Sequence, residues 1–186
     1  MKSLFKFPVF PGAMVLMLSA FLFGCSSTRT PASSAKQAKG SISATGTQTP
    51  GNGTITFKQQ DGKVVMNVSV SFPSKAGQSV AVHLHEHGDC GNAGNDAHGH
   101  WNPTNEPHGR WGSGQHHLGD IGNITLNQSG RGSMQIITEK WSIGTGASND
   151  IVGKAIIVHN GVDDYVTQPT GNAGSRIGCG VIELAK

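Results

Sequence analysis

Histidine is concentrated in one short part of this 186-residue chain, and that concentration limits the folds that the chain can adopt. Eight of the nine histidines lie between His83 and His117, in a segment punctuated by glycines. The loop that starts after His85 is longer than packing alone would tolerate, and such loops are usually either functional or disordered. Imidazole is a common metal ligand, so we expect bound metal to order this segment.

Short alternating segments separated by turn signals make up most of the remaining chain. Apolar and polar residues alternate at 53–58 and 64–72, on either side of the hairpin signal Asp61-Gly62. No segment has a convincing helical period. The pattern predicts an all-β fold, an antiparallel sandwich or barrel. Further strands are predicted at 80–85, 121–126, 133–139, 151–159 and 176–184.

The N-terminus has the features of an export signal. Lys2 and Lys6 precede an apolar run at 13–23 that is too short to cross a bilayer as a helix and is typical of a signal peptide. The sequence around Cys25 resembles the bacterial lipoprotein box, which predicts a lipid anchor on this cysteine. An ordinary secretory signal with an incidental cysteine is the alternative. Either way, we expect an exported protein of the periplasm or cell envelope.

These features divide the chain into three predicted parts: a signal peptide at 1–24, a lipidated N-terminus and flexible tether at 25–40, and a folded domain at 41–186. The formal net charge is +3, and the basic and acidic residues nearly balance once the two leader lysines are removed. No clustered basic face is visible, so we expect no nucleic-acid partner.

The three cysteines divide between two roles. If Cys25 carries lipid, Cys90 and Cys179 are the only internal pair, and an oxidising compartment favours a disulfide between them. Cys90 as a metal ligand beside its neighbouring histidines is the alternative.

Strand periodicity predicts where the first metal ligands point. Side chains alternate across a strand, so Val80, Val82 and Leu84 should face the core while His83 and His85 share the other face. Two imidazoles on one face of a rigid strand can bind a metal ion from two sides.

A second strand and the loop add further candidate ligands. His159 lies on the predicted strand 151–159, also opposite its core face. Three imidazoles with a carboxylate suit tetrahedral zinc, and four imidazoles suit Cu(II). A histidine-rich loop that scavenges metal without fixed geometry is the alternative. The loop candidates are His98, His100, His108, His116, His117 and Asp120.

Six motifs in order resemble the copper-zinc superoxide dismutases: HLHEHGDC at 83–90, GHWNP at 99–103, HG at 108–109, HLGD at 117–120, GKAIIVH at 153–159 and GNAGSRIGCGVI at 171–182. The resemblance covers roughly residues 50–186. It implies an eight-stranded antiparallel Greek-key barrel or sandwich, immunoglobulin-like, with long metal-binding loops. It also implies an oxidoreductase that converts superoxide to oxygen and hydrogen peroxide and protects the cell envelope.

The resemblance also implies a role for particular residues. It implies one copper and one zinc ion per subunit and a disulfide between Cys90 and Cys179, and it allows a homodimer. His100 would bridge both ions, Arg176 would attract the superoxide anion, and Asp163 would link the rings of His83 and His108. The implied copper ligands are His83, His85, His100 and His159, and the implied zinc ligands are His100, His108, His117 and Asp120.

Three histidines have no role in the family. His87 and His98 should lie on the loop surface, and His116 should point away from the metals. A zinc hydrolase would need a carboxylate base, but Glu86 is expected on the core-side face of its strand. A periplasmic protein that buffers copper or zinc without turnover is the main alternative function.

Overall fold

Antiparallel β-strands supply nearly all the regular structure among the residues described by the computed structural model, Met1 and 35–186. Apart from Met1, the predicted signal peptide lies outside the described residues, as do Cys25 and most of the predicted tether. Two short 3-10 turns, Pro73–Lys75 and Asn92–Ala97, interrupt the strand pattern. The strands are β1 (Gln37–Ala44), β2 (Asn52–Gln60), β3 (Lys63–Ser71), β4 (Ser79–His85), β5 (Gly122–Thr125), β6 (Arg131–Thr138), β7 (Ala155–His159), β8 (Arg176–Val181) and β9 (Glu183–Leu184).

Eight strands form one sheet in the order β5-β4-β7-β8-β1-β2-β3-β6, and the two-residue β9 pairs with β1. Every neighbouring pair is antiparallel. The strands at the two ends of this order, β5 and β6, are joined by a tight turn in which Asn127 N donates to the Arg131 carbonyl oxygen at 2.9 Å. The sheet is therefore a nearly closed barrel, and the predicted all-β fold is confirmed.

Strand β1 was not predicted, and its first residues fall inside the segment expected to be a flexible tether. The strand begins at Gln37, whereas the tether was predicted to end at residue 40. Its inward side chains are small, with Ala38 and Gly40 beside Ile42, so the apolar period is weak. At Gly40 a β-carbon would lie 2.6 Å from the Val181 carbonyl oxygen, so close strand packing requires glycine here.

The hairpin predicted at Asp61-Gly62 is confirmed. Both residues have positive φ, 49° and 77°, and Gln60 pairs with Lys63 across the turn. Such backbone geometry matches the right-handed twist of the two flanking strands. Strand β7 begins later than predicted, at Ala155, because a turn at 152–153 precedes it.

The barrel interior is filled by aliphatic side chains and a few aromatic rings, among which Phe57 contacts Trp141 edge-on at 5.9 Å between ring centroids. The long segment after β4 folds back against that strand. Trp101 N donates to the Leu84 carbonyl oxygen at 2.8 Å, and Leu84 N donates to that of Gly119 at 2.9 Å. A β-carbon at Gly119 would overlap the Leu84 carbonyl oxygen, so only glycine permits this approach.

The loop therefore covers the outer face of β4. Within the described residues, no helix is long and apolar enough to span a membrane.

Candidate metal centre

Strand β4 presents its histidines on the face opposite the barrel core. Val82 and Leu84 belong to the core cluster, whereas His83 and His85 point beneath the covering loop and are 0% and 1% exposed. Strand β7 lies beside β4 and brings His159 to the same face. Alternation across paired strands thus brings three imidazoles together on the outer wall of the barrel.

Four imidazoles form the first group of candidate ligands. One nitrogen from each of His83, His85, His100 and His159 lies within 4.8 Å of the others, and all four residues are buried. His100 comes from the loop, where it forms an isolated antiparallel bridge with His85. The four ligands of this group therefore come from strands β4 and β7 and from one loop residue.

A second group adjoins the first and shares His100 with it. It contains His100, His108, His117 and Asp120, whose ligand atoms also lie within 4.8 Å of one another. Asp120 Oδ1 lies 2.7 Å from His100 Nδ1 and 3.1 Å from His117 Nδ1. Its Oδ2 accepts hydrogen bonds from the backbone N–H groups of Gly109 and His117, at 3.0 and 2.8 Å.

Asp163 joins the two groups from behind. Its Oδ2 lies 2.9 Å from His83 Nε2, and its Oδ1 lies 2.9 Å from His108 Nε2. His85 Nδ1 donates to the His98 carbonyl oxygen at 2.8 Å, and His159 Nδ1 donates to that of Gly174 at 3.1 Å. In a neutral ring, a proton held on the outer nitrogen leaves the inner nitrogen with a free lone pair.

The inner nitrogens have no hydrogen-bond partner, although buried polar atoms nearly always have one. His108 Nδ1 lies 3.0 Å from Asp120 Oδ2, but without hydrogen-bond geometry. A metal site requires ligand nitrogens that converge on one space, with each ring oriented by a hydrogen bond to its other nitrogen. These atoms are His83 Nδ1, His85 Nε2, His100 Nε2, His108 Nδ1 and His159 Nε2.

The residues therefore fit two different metal ions. Four imidazoles suit Cu(II), whose preference is for nitrogen ligands. Three imidazoles and one carboxylate suit zinc, which binds four ligands in structural sites.

Burial keeps three of the four imidazoles neutral, those of His85, His100 and His159. Removal from water lowers the pKa of His100 to about 4, although Asp120 opposes the shift, and it lowers the pKa of His159 to about 3. Burial also holds the pKa of His85 well below its usual value, and the neighbouring His100 adds to the effect. Neutral imidazole is the form that binds metal, so these rings need not lose a proton first.

In the second group, the environment favours the charged forms of Asp120 and His108. Burial opposes ionisation of Asp120, but its contacts with the rings of His100, His108 and His117 hold its pKa well below the usual range. Burial similarly lowers the pKa of His108, but its contacts with Asp120 and Asp163 outweigh that effect and raise the value to about 9. A carboxylate that stays ionised when buried needs positive charge beside it, and a divalent cation would supply it.

Arg176 lies at the edge of the four-imidazole group. Its guanidinium donates hydrogen bonds to the carbonyl oxygens of Gly94 and His98. The His98 carbonyl oxygen also accepts from His85 Nδ1, so the guanidinium lies near that ring, and its positive charge helps lower the pKa values of His85 and His159. An anion that approached these rings would meet a fixed positive charge.

Cys90 and Cys179 form a disulfide with a Cα–Cα distance of 5.7 Å, which confirms the predicted pairing and excludes Cys90 as a ligand. Because Cys179 lies on β8, the bridge attaches the beginning of the loop to the barrel.

Glu86 does not face the core as expected: β4 ends at His85, and Glu86 is exposed beyond it.

The other three histidines lie outside both groups. His87 and His98 are exposed, as predicted. His116 is buried and structural: its Nδ1 donates to the His117 carbonyl oxygen at 2.7 Å, and its Nε2 accepts from Lys140 Nζ at 2.9 Å.

Sequence reasoning missed two residues that support the centre. Asn123 Oδ1 accepts from Asp163 N at 2.8 Å, and Asn123 Nδ2 donates to the Asp163 carbonyl oxygen at 2.9 Å. Gln168 exchanges a similar pair with the backbone of His108, at 2.8 and 2.9 Å. Both pairs join residues far apart in sequence, and no local pattern indicates them.

Comparisons with known proteins agree with this chemistry. Residues 51–182 match the family model described as copper/zinc superoxide dismutase (SODC). The chain is 36% identical over 141 residues to superoxide dismutase [Cu-Zn] 5 of Dictyostelium discoideum, covering 73% of this chain and 91% of that relative. It is 34% identical over 143 residues to superoxide dismutase [Cu-Zn] of Paramecium bursaria Chlorella virus 1, covering 74% and 75%.

Among solved structures, the chain resembles that of the clock protein EA4, with a TM-score of 0.69 and 30% identity over 82% of this chain and 97% of that one. The shared fold, the paired ligand groups and the sequence similarity agree with one another. The chain belongs to the copper-zinc superoxide dismutase family, with one copper and one zinc site in its subunit.

Proposed function

We propose that this chain dismutates superoxide in the cell envelope and uses the two adjoining groups as its copper and zinc sites. His100 is the observation that carries the proposal, because among residues 35–186 it alone belongs to both groups. Its Nε2 is unpartnered on one side, and its Nδ1 faces Asp120 on the other. An imidazole with one nitrogen in each group can bridge two ions.

We assign each ligand to the ion that its group suits. The copper ligands are His83, His85, His100 and His159, and the zinc ligands are His100, His108, His117 and Asp120. Asp163 accepts from a ring in each set, so its carboxylate holds the two sites in one orientation.

Bound copper supplies the one-electron chemistry that converts two superoxide anions into oxygen and hydrogen peroxide. Arg176 attracts the anion and positions it with a fixed positive charge. The reaction consumes two protons: His100 carries one at Nε2, and the other comes from water. The loop over β4 excludes bulk water from the buried ligands, because His83, His85 and His100 are at most 4% exposed.

Two substitutions test the assignment. His159→Ala should abolish dismutation and copper binding while zinc stays bound, because His159 lies on a barrel strand outside the zinc group. Asp120→Ala should weaken zinc while copper stays bound and some activity remains. Metal analysis and a superoxide assay on the same samples measure both effects.

The opposite pattern would contradict the assignment: copper lost from Asp120→Ala, or full activity in His159→Ala. Turnover also separates the enzyme from a metal buffer. A buffer would bind both ions in the wild-type chain and leave the rate of superoxide loss unchanged.

The envelope location is a separate proposal, supported by the apolar run at 13–23, the following Cys25 and a disulfide of the kind that persists in oxidising compartments. We propose a signal peptide at 1–24 and a lipid anchor on Cys25. Cys25→Ser should move the protein from the membrane fraction to the soluble periplasmic fraction, with its specific activity unchanged. A wild-type protein found entirely in the soluble fraction would contradict the anchor.

The folded domain and its assembly complete the proposal. We place the start of the domain at Gln37 rather than residue 41, because β1 is part of the sheet. The homodimer stays a prediction, which sedimentation velocity over a range of concentrations tests; a single monomeric species throughout would contradict it.

A further inference from the structure

Two exposed histidines stand beside the four-imidazole group and have no part in it. His87 follows the ligand His85 by two positions, and His98 precedes the ligand His100 by two. Their rings meet edge-on, with centroids 4.7 Å apart. Both side chains are exposed, so this pair is open to solvent where the buried ligands are not.

The backbone holds these two rings together. Glu86 N donates to the Gly99 carbonyl oxygen at 3.1 Å, and His87 N donates to that of Ala97 at 3.3 Å, so the two segments lie side by side. His98 has φ 59° and ψ −140°, a conformation that non-glycine residues rarely adopt. Backbone strain of this kind is found mostly at functional sites.

The same residue connects the surface pair to the buried group. The carbonyl oxygen of His98 accepts from His85 Nδ1 and also from the guanidinium of Arg176. Its backbone therefore fixes a buried ligand, while its side chain stands outside beside His87.

The separation of the two rings is similar to the separations within the buried group. In the buried group, the centroids of His83 and His100 are 4.0 Å apart, those of His85 and His100 are 5.0 Å apart, and those of His85 and His159 are 5.6 Å apart. The 4.7 Å separation of His87 and His98 lies within this range.

We propose that His87 and His98 form a copper-accepting site on the surface, from which the ion passes inward to the four-imidazole group. The proposal rests on the assignment of that group to copper. Two imidazoles bind Cu(II) more strongly than other divalent first-row metals, which favours copper over zinc at such a site.

Two protein ligands hold an ion less strongly than four, and the remaining positions stay open to water or to ligands of a copper donor. Transfer is then a ligand exchange toward the deeper site, with no change in the oxidation state of copper. His87 and His98 are each two positions from a ligand of the deeper group, so the exchange would cover a short stretch of chain.

The first test uses the fully loaded enzyme, whose buried sites are occupied. Titration with Cu(II) should show one additional, weaker copper per chain, with an electron paramagnetic resonance signal distinct from that of the buried copper. The double substitution His87→Phe with His98→Phe keeps two rings in contact but removes their ligand nitrogens, and it should lose the additional copper. Equal binding by the wild type and this variant, or no additional copper in the wild type, would overturn the proposal.

The second test measures delivery. Protein that contains zinc but no copper is mixed with a limiting amount of a Cu(II)–glycine complex, and copper uptake is followed by its visible absorption. The double variant should load at least about tenfold more slowly, because the wild-type pair holds the ion close to its destination. The single variant His87→Phe, which leaves the backbone contacts of His98 in place, should also load more slowly, and its final copper content and specific activity should equal those of the wild type.

Equal loading rates would refute the role of the pair. A wild-type protein that takes up no copper at the buried group would instead refute the copper assignment, so the two failures differ. His87→Gln with His98→Asn provides a second variant if the aromatic pair disturbs the loop, because Asn tolerates positive φ better than most residues. Zinc offered in place of copper should show no difference between wild type and variant.

Discussion

Gly171→Ala should damage the metal centre without changing any ligand. The residue lies in the connection between β7 and β8 and has φ 67°. A β-carbon there would overlap Asp163 Oδ1 and lie 2.6 Å from His108 Nε2, two atoms that are 2.9 Å from each other. Because Asp163 is 3% exposed and hydrogen-bonded on both oxygens, it cannot move aside without losing a contact.

A matched control in the same connection allows the loss of unfolding free energy in Gly171→Ala to be estimated. Gly174 also has positive φ, 80°, but a β-carbon there would meet nothing closer than Gly161 N at 3.7 Å. The left-handed backbone should cost either alanine variant roughly 1–2 kcal/mol. Overlap in a packed site should add roughly 1–3 kcal/mol at Gly171 only. We therefore expect Gly171→Ala to lower the free energy of unfolding by roughly 2–5 kcal/mol and Gly174→Ala by roughly 1–2 kcal/mol.

Urea denaturation of the metal-free proteins measures the unfolding free energies, and competition with a chelator measures zinc affinity. Displacement of Asp163 from His108 should weaken zinc binding by about 10- to 100-fold, as loss of such supporting contacts typically does. The control should bind zinc like the wild type. The reasoning would be refuted if Gly171→Ala matched Gly174→Ala in both stability and zinc affinity.

Three further predictions concern stability. Replacing Cys90 and Cys179 with serine should lower the unfolding free energy by roughly 4–5 kcal/mol in the chain-entropy model, since the bridge closes a loop of 89 positions. Urea denaturation should detect this loss, and an unchanged denaturation midpoint would contradict it. The metal-free protein should lose stability as the pH falls from about 6.5 to about 4, because the unfolded chain then protonates His100 and His159 while burial keeps their folded pKa values at about 4 and 3. Thermal melts over this range should show the midpoint falling, and a constant midpoint would count against buried neutral rings. Asp150→Asn should cost roughly 2–4 kcal/mol, because the carboxylate accepts four backbone N–H groups between residues 144 and 152. Activity per bound copper should remain that of the wild type, and an unchanged denaturation midpoint would show that these bonds contribute little.

Much of the barrel could be predicted from the sequence because strand periodicity is a local property. Seven of its eight main strands follow from alternation and turn signals, and the Asp61-Gly62 hairpin follows from its turn residues. Strand β1 was missed because Ala38 and Gly40 face inward, and such small residues produce little contrast with their polar neighbours. The reason for their small size is the close packing against β8 and the Val181 carbonyl oxygen, which no local pattern indicates.

For the metal centre, too, some features follow from local sequence patterns and others depend on the tertiary structure. The sequence by itself determined that His83 and His85 share the face of β4 opposite the core, because side chains alternate along any strand. The family resemblance indicated which loop histidine joins them, but no local pattern does: His87 and His98 stay outside while His100 turns inward. Neighbouring positions in an irregular loop have no fixed period, so their directions depend on contacts made elsewhere.

Apart from Asp163, which the family resemblance indicated, the residues that support the ligands could be identified only from the tertiary structure. Asn123 reaches Asp163, and Gln168 reaches His108, across 40 and 60 positions of sequence. These contacts depend on strand register and on how two long connections pack against β4, β5 and β7. A sequence specifies such contacts only through the complete fold, because each partner is placed by a different part of the barrel.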